Sequence, residues 1–197
     1  QDSELTWINW DSVDQPLVEF TAAVSALRAK HPTFRRSRFF DGRPVHRSEG
    51  EPLPDIVWLD PEGALMQPSD WDNGFGRSVG VFLNGDGIRG RDNQGRRITD
   101  VNFLLYFNAH DDEVKFVLPP DEYAPAWDIL IDTAGMGADS GPVDADGIVS
   151  LAAKSLVVLR AHSTPEEEPD HSVAVSLAAL THSATAETAA LTVPAVP

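Results

Sequence analysis

Apolar residues recur at spacings of three and four from Leu17 through Phe20 and Val24 to Leu27. That spacing lays one apolar stripe along a helix of roughly fifteen residues. Asp14 or Ser12 is placed to cap its first turn, and Pro16 suits that turn because its missing N–H costs nothing there. Ala22, Ala23, Ala26 and Ala29 add helix propensity. Lys30 and His31 favour the negative end of the helix, and Pro32 stops it. Upstream, Gln1 to Asp14 is polar, holds Trp7 and Trp10, and has no clear period, so it reads as a loop.

Past Pro32 the texture changes to short apolar runs between turn signals. Phe34 to Phe40 reads as a short strand and Arg43 to Pro54, with its prolines and glutamates, as a loop. Ile56 to Leu59 is a strand followed by the turn Asp60-Pro61-Glu62-Gly63. Val79 to Leu83 is another strand, with a Gly- and Asp-rich loop after it. Val101 to Phe107 is nearly continuous in apolar residues, which predicts burial on both faces. Val114 to Leu118 alternates after a turn at Asn108 to Asp112, so these two runs are expected to form a hairpin. Trp127 to Ile131, Gly147 to Leu151 and Ser155 to Arg160 complete the set. Roughly seven or eight short strands with turns between them argue for a β-sandwich or barrel. A lone helix before such a block cannot bury its stripe without a partner layer. It either packs on the strands or lacks its natural partner, in which case self-association is expected.

Composition changes this picture at the C-terminal end. From Ser163 on, the chain is Ala, Ser, Thr, Glu and Pro with no aromatic residue. Such a segment cannot bury enough apolar area to offset its ordering entropy, so 163–197 is expected to be disordered. Acidic residues outnumber basic ones 31 to 15, and a net charge of −16 repels phosphate backbones, so nucleic acid is not an expected partner. No run of about 18 apolar residues is present, so no membrane partner is expected either. Cysteine is absent, which removes disulfides and thiolate ligands and fits a cytoplasmic location. The first residue is Gln and no apolar signal segment follows, so the start is read as a cut within a longer protein or a processed terminus.

The chemistry-bearing residues are sparse. Glycoside hydrolysis needs two carboxyl groups a few ångströms apart. The acids here, such as Asp111-Asp112-Glu113 and Asp121-Glu122, lie in turns, where solvation and backbone bonding account for them. Asn84-Gly85-Asp86-Gly87 and Asp92-Asn93-Gln94-Gly95 depart from the calcium-loop pattern, and the histidines lack zinc spacing. No metal or cofactor is called for. Gly85-x-Gly87-x-x-Gly90 follows a strand, but the polar residues after it do not form the helix that a phosphate cradle needs, so it reads as a loop. Trp58 and Trp127 sit inside strand patterns and are expected in the core. Trp7, Trp10 and Trp71 lie in polar stretches, where sugar stacking and packing are both open.

Five segments in order then carry a resemblance. Gln1-Asp2-Ser3-Glu4-Leu5-Thr6-Trp7-Ile8-Asn9-Trp10 resembles the Q-D-x-x-x-x-W-x-x-W segment of bacterial glycogen-debranching enzymes, the isoamylase type within the α-amylase superfamily (glycoside hydrolase family 13). Arg28-Ala29-Lys30-His31-Pro32-Thr33-Phe34-Arg35 resembles the end of that family's closing barrel helix. Asp55 to Leu59 with Met66 to Trp71, Ser78 to Gly85, and Asp100 to His110 followed by Phe116 to Pro119 also fit. The match runs from Gln1 to about His162.

The resemblance implies a mainly β chain: an antiparallel β-sandwich over 34–162, preceded over 1–33 by a loop and helix from the end of a (β/α)8 barrel. It further implies hydrolysis of α-1,6 branch linkages in glycogen by the complete enzyme. The family's catalytic carboxylates lie upstream of Gln1, so no catalytic residue is assigned and this chain alone is expected to be inactive. Glycogen or maltodextrin would be met through the full-length enzyme, with the missing upstream barrel as partner. Asp2 and Trp7 would border a sugar subsite at the C-terminal face of the barrel. The alternative is a stand-alone β-sandwich module, carbohydrate-binding or structural.

Overall fold

The computed structural model describes residues 2–45, 51–72, 76–135 and 141–163. The tail expected to be disordered lies outside the described residues after Ser163.

The opening helix α1 spans Gln15–Lys30. The Oδ1 of Asp14 accepts the Leu17 N–H at 3.1 Å, so Asp14 is the cap. The N–H of His31 closes the last turn on Leu27 O at 3.1 Å, and Pro32 begins a separate 3-10 turn, Pro32–Arg35.

Ten strands follow among the described residues: β1 (Pro44–Val45), β2 (Leu53–Pro54), β3 (Ile56–Leu59), β4 (Ser78–Leu83), β5 (Phe103–Asn108), β6 (Val114–Val117), β7 (Ala126–Asp132), β8 (Val143–Asp144), β9 (Ile148–Leu151) and β10 (Ser155–Ala161). A single helical turn, α2 (Pro68–Trp71), lies between β3 and β4. The main sheet has six strands in the order β3-β4-β5-β10-β7-β8, all pairs antiparallel. β6 and β9 form a second, two-stranded antiparallel sheet, and β1 pairs with β2. The protein is mainly β and antiparallel.

Strand alternation gives the main sheet two apolar faces. The inner face carries Val57, Leu59, Phe82, Leu104, Tyr106, Trp127, Val157 and Leu159 and packs against Phe116, Val149 and Leu151 of the small sheet. The outer face carries Val81, Leu83, Phe103 and Val158, with Phe20, Val24 and Leu27 of α1 packed on it. The helix therefore docks on the strands. Leu17 does not take part, and remains 59% exposed. The apolar run at Val101 to Phe107 has its reason here: β5 is central and is covered by the small sheet on one side and by α1 on the other.

Three expectations need correction. Phe34 to Phe40 is not a strand. Pro32 starts a tight turn, and the buried Arg36 is then held by Asp55 at 3.0 Å and stacked 3.9 Å over the Phe40 ring. Those contacts fix the segment beside the sheet rather than within it. β5 and β6 are also not a hairpin. Both edges of β5 are taken by β4 and β10, so the chain crosses to the small sheet and β6 pairs with β9. Asn108 makes that corner: its Nδ2 donates to Asp112 O at 2.9 Å, Leu151 O at 3.2 Å and Ala152 O at 2.9 Å. Third, Trp58 is outside the core. Val57 and Leu59 occupy the inner face of β3, so the residue between them points the other way, and it is 41% exposed.

Candidate functional site

The segment before α1 is built from two single 3-10 turns, Glu4–Thr6 and Trp10–Ser12. The first turn sets Asp2 and Trp7 five residues apart and within reach. The Trp7 Nε1–H donates to Asp2 Oδ1 at 2.6 Å. The structure thus brings the two sequence-derived site residues together, both exposed. Chemically they offer a carboxylate acceptor beside an aromatic face, a combination suited to a neutral polyol. The same segment exposes Leu5, Ile8 and Trp10, with Leu5 at 97%. Large apolar side chains exposed close together are a common feature of contact surfaces.

A second aromatic feature lies at the β3 edge of the main sheet. Trp58 of β3 and Trp71 of α2 meet edge to face, 5.3 Å between ring centroids at 82°. Trp71 is 55% exposed, and Leu65 beside them is exposed as well. Pro68 starts the turn that delivers Trp71 to this position. Strand period alone could not separate Trp58 from Trp127, which is fully buried. Both sit at alternating positions, but Trp58 lies on the outer face of the edge strand β3, whereas Trp127 lies on the inner face within the main core.

The carboxylates do other work. Asp111 bonds Lys154 at 3.0 Å and Arg77 at 3.5 Å, and the Lys154 ammonium chiefly holds its carboxyl below the usual range. Asp92 is likewise held low, first by its hydrogen bond to the Arg96 side chain. A general acid needs the opposite shift. Two buried aspartates that sequence reading passed over are anchors. Asp55 accepts Arg36 Nη2 at 3.0 Å and the Gly42 N–H at 2.9 Å. Asp100 accepts His31 at 2.8 Å, the Thr33 N–H at 3.0 Å and the Val101 N–H at 2.9 Å. Among the described residues no group of three or more His, Asp or Glu side chains is arranged to hold a metal ion.

The family profile described as "Isoamylase, C-terminal" matches residues 55–159, more than half of the chain. The chain belongs to the isoamylase C-terminal family. Within that isoamylase C-terminal region lie the paired tryptophans Trp58 and Trp71 and the corner residue Asn108, while Asp2 and the exposed Trp7 and Trp10 lie outside it. The chain is also similar to the "Glycogen operon protein GlgX homolog" of Mycobacterium bovis and of Mycobacterium tuberculosis, each 45% identical over 163 residues, covering 81% of this chain and 22% of the relative. The "Glycogen debranching enzyme" of Cronobacter sakazakii is 29% identical over 123 residues, covering 62% of this chain and 15% of its own. The chain thus spans about a fifth of the length of the mycobacterial relatives, 22%.

Proposed function

We propose that this chain is the C-terminal portion of a glycogen-debranching enzyme of the isoamylase type, which hydrolyses α-1,6 branch linkages in glycogen in the cytoplasm. The observation that carries this reading is the 45% identity to GlgX homologues over a stretch longer than the family-profile region. The match therefore includes chain beyond the β-sandwich. The catalytic carboxylates belong to an upstream (β/α)8 barrel, and this chain alone does not hydrolyse glycogen.

The chain's own residues have two roles in this scheme. Leu5, Ile8, Trp10 and Leu17 form an apolar surface that seats on the barrel, with the loop and helix over 1–33 as the end of that barrel. Asp2 and Trp7 border a glucose subsite, the carboxylate accepting sugar hydroxyls and the indole face stacking on the ring. The β-sandwich over 34–162 supports that loop through α1. No helix among the described residues is long and apolar enough to cross a membrane.

The test compares this polypeptide with the longest native product that contains it. Release of linear maltodextrin from glycogen is expected from the long product and not from this chain. Hydrolysis by this chain alone would overturn the reading. In the long product, Trp7→Ala is expected to raise KM for branched substrate roughly tenfold, the scale of one lost aromatic contact with a sugar.

A second reading, a carbohydrate-binding module in its own right, is favoured by the exposed Trp58–Trp71 pair alone. Calorimetry with maltoheptaose separates the two. Saturable binding by this chain, reduced by Trp71→Ala, supports the module.

A further inference from the structure

The loop joining β4 to β5 carries Arg89, Arg91, Arg96 and Arg97, and its fold concentrates their charge. Asp92 turns the tip: its N–H donates to Arg96 O at 2.9 Å, and its Oδ1 accepts the N–H groups of Gln94 at 2.8 Å and Arg96 at 2.9 Å. Arg91 and Arg97 consequently meet as an antiparallel bridge pair. Residues directly opposite in such a bridge share a face, where like charges repel.

The chain has 31 acidic residues, yet neither arginine is paired with one among the described residues. Arg91 Nη1 donates to Gly95 O at 2.6 Å, and Arg97 Nη2 donates to Asp86 O. Carbonyls satisfy donors but leave the charge in place. The neighbours differ: Arg96 pairs with Asp92 at 2.7 Å, and Arg89 with Asp41 at 2.6 Å.

Beside this bridge lies a cleft of about 320 Å³. That is within the range of small-ligand sites, roughly 300–1,000 Å³. Arg89, Arg91 and Arg97 line it, Pro44, Val45 and Ile88 supply an apolar wall, and Asp86 adds one carboxylate.

We propose that this cleft binds the phosphate monoester of a phosphorylated sugar. The two uncompensated guanidinium groups match a monoester's charge of about −1.5 to −2. The apolar wall suits the ring, and the Asp86 carboxylate accepts sugar hydroxyls. A free hexose phosphate and a phosphoryl group carried on a glucan share this chemistry. The site is independent of hydrolysis and of the upstream barrel.

Calorimetric titration of the full chain tests it, with glucose 6-phosphate, phosphorylated maltodextrin, inorganic phosphate and unphosphorylated maltodextrin as probes. Glucose 6-phosphate is expected to bind saturably and to weaken as salt rises. The double substitution Arg91→Gln, Arg97→Gln is expected to weaken it about tenfold or more, the scale of two charge-assisted bonds. Arg96→Gln removes the same charge from the same loop and is expected to leave affinity unchanged. Tighter binding of phosphorylated maltodextrin would identify the glucan-borne group as ligand; tighter binding of glucose 6-phosphate would identify the free sugar. Inorganic phosphate binding as tightly as glucose 6-phosphate would overturn the sugar assignment. Absence of saturable binding, or equal loss in Arg96→Gln, would overturn the site. Thermal melts of all variants confirm folding, since the substituted side chains are exposed.

Discussion

At the scale of residues, the polar side chains with the greatest structural effect are buried ones. Asp55 is almost fully buried and accepts N–H groups from Arg36, Asp41 and Gly42, while Arg36 also donates to Gly87 O at 2.9 Å. Removing one member of a buried pair strands the other, so Asp55→Ala is expected to cost about 3–5 kcal/mol, read as a lower urea midpoint. Asp55→Asn keeps the shape and should cost less. Gly87 packs under this pair: a Cβ there would lie 2.6 Å from Asp55 Cβ, which only glycine avoids. Tyr106 gives a pH signature. Burial pushes its phenol above the usual range, and its hydroxyl donates to Val117 O at 3.3 Å. The unfolded chain loses that proton near pH 10 while the folded chain keeps it, so stability falls as pH rises above about 10. Tyr123, also raised chiefly by burial, adds to the same slope. Tyr106→Phe is expected to flatten the alkaline limb of a pH–stability curve measured by urea unfolding. An unchanged limb would remove Tyr106 from the account.

At the scale of elements, α1 behaves as the outer layer of the main sheet. Phe20, Val24 and Leu27 reach the face formed by Val81, Leu83, Phe103 and Val158, and the His31–Asp100 contact at 2.8 Å ties the helix end to the chain entering β5. The docked residues are only partly buried. Each of Phe20→Ala and Leu27→Ala is therefore expected to cost about 1–2 kcal/mol, less than a full core truncation. Hydrogen exchange should quicken in α1 and stay slow in β5 and β10 if the helix opens separately. Uniform quickening would mean that helix and sheet unfold as one unit. The corner at Asn108 is the second element-level device. Its Nδ2 serves three carbonyls, and Asn108→Ala should cost about 2–3 kcal/mol by leaving them unpaired.

At the scale of the whole molecule, charge and exposed apolar surface oppose each other. The net charge of −16 keeps copies apart at low salt, while Leu5, Ile8, Trp10, Leu17 and the Trp58–Trp71 pair favour contact. Sedimentation of this chain alone is expected to show association that grows with salt. Leu5→Ser with Trp10→Ser should reduce it if the segment before α1 is responsible. The same double substitution, made in the longest native product, is expected to loosen the joint with the upstream barrel and lower its melting temperature.

Much of this was determined by local sequence. Asp14, Pro16 and Pro32 bounded α1 because caps and prolines act through their own backbone. The short apolar runs at 56–59, 79–83, 127–131 and 147–151 marked strands, because a short run bounded by turn residues is a property of one chain segment. The pairing of Asp2 with Trp7 was within reach of sequence reasoning for the same reason, five residues apart across one turn. Tertiary structure alone decided the rest. Which strand β6 joins depends on whether β5 has a free edge, and that is settled by β4 and β10, far apart along the chain. Whether Trp58 is core or surface depends on β3 lying at the sheet edge and on which of its faces meets the main core. The Arg91–Arg97 pair and its cleft arise where the loop folds back beside Pro44 and Val45. Local patterns fix the direction a side chain takes from its own backbone; only the assembled layers determine what it meets there.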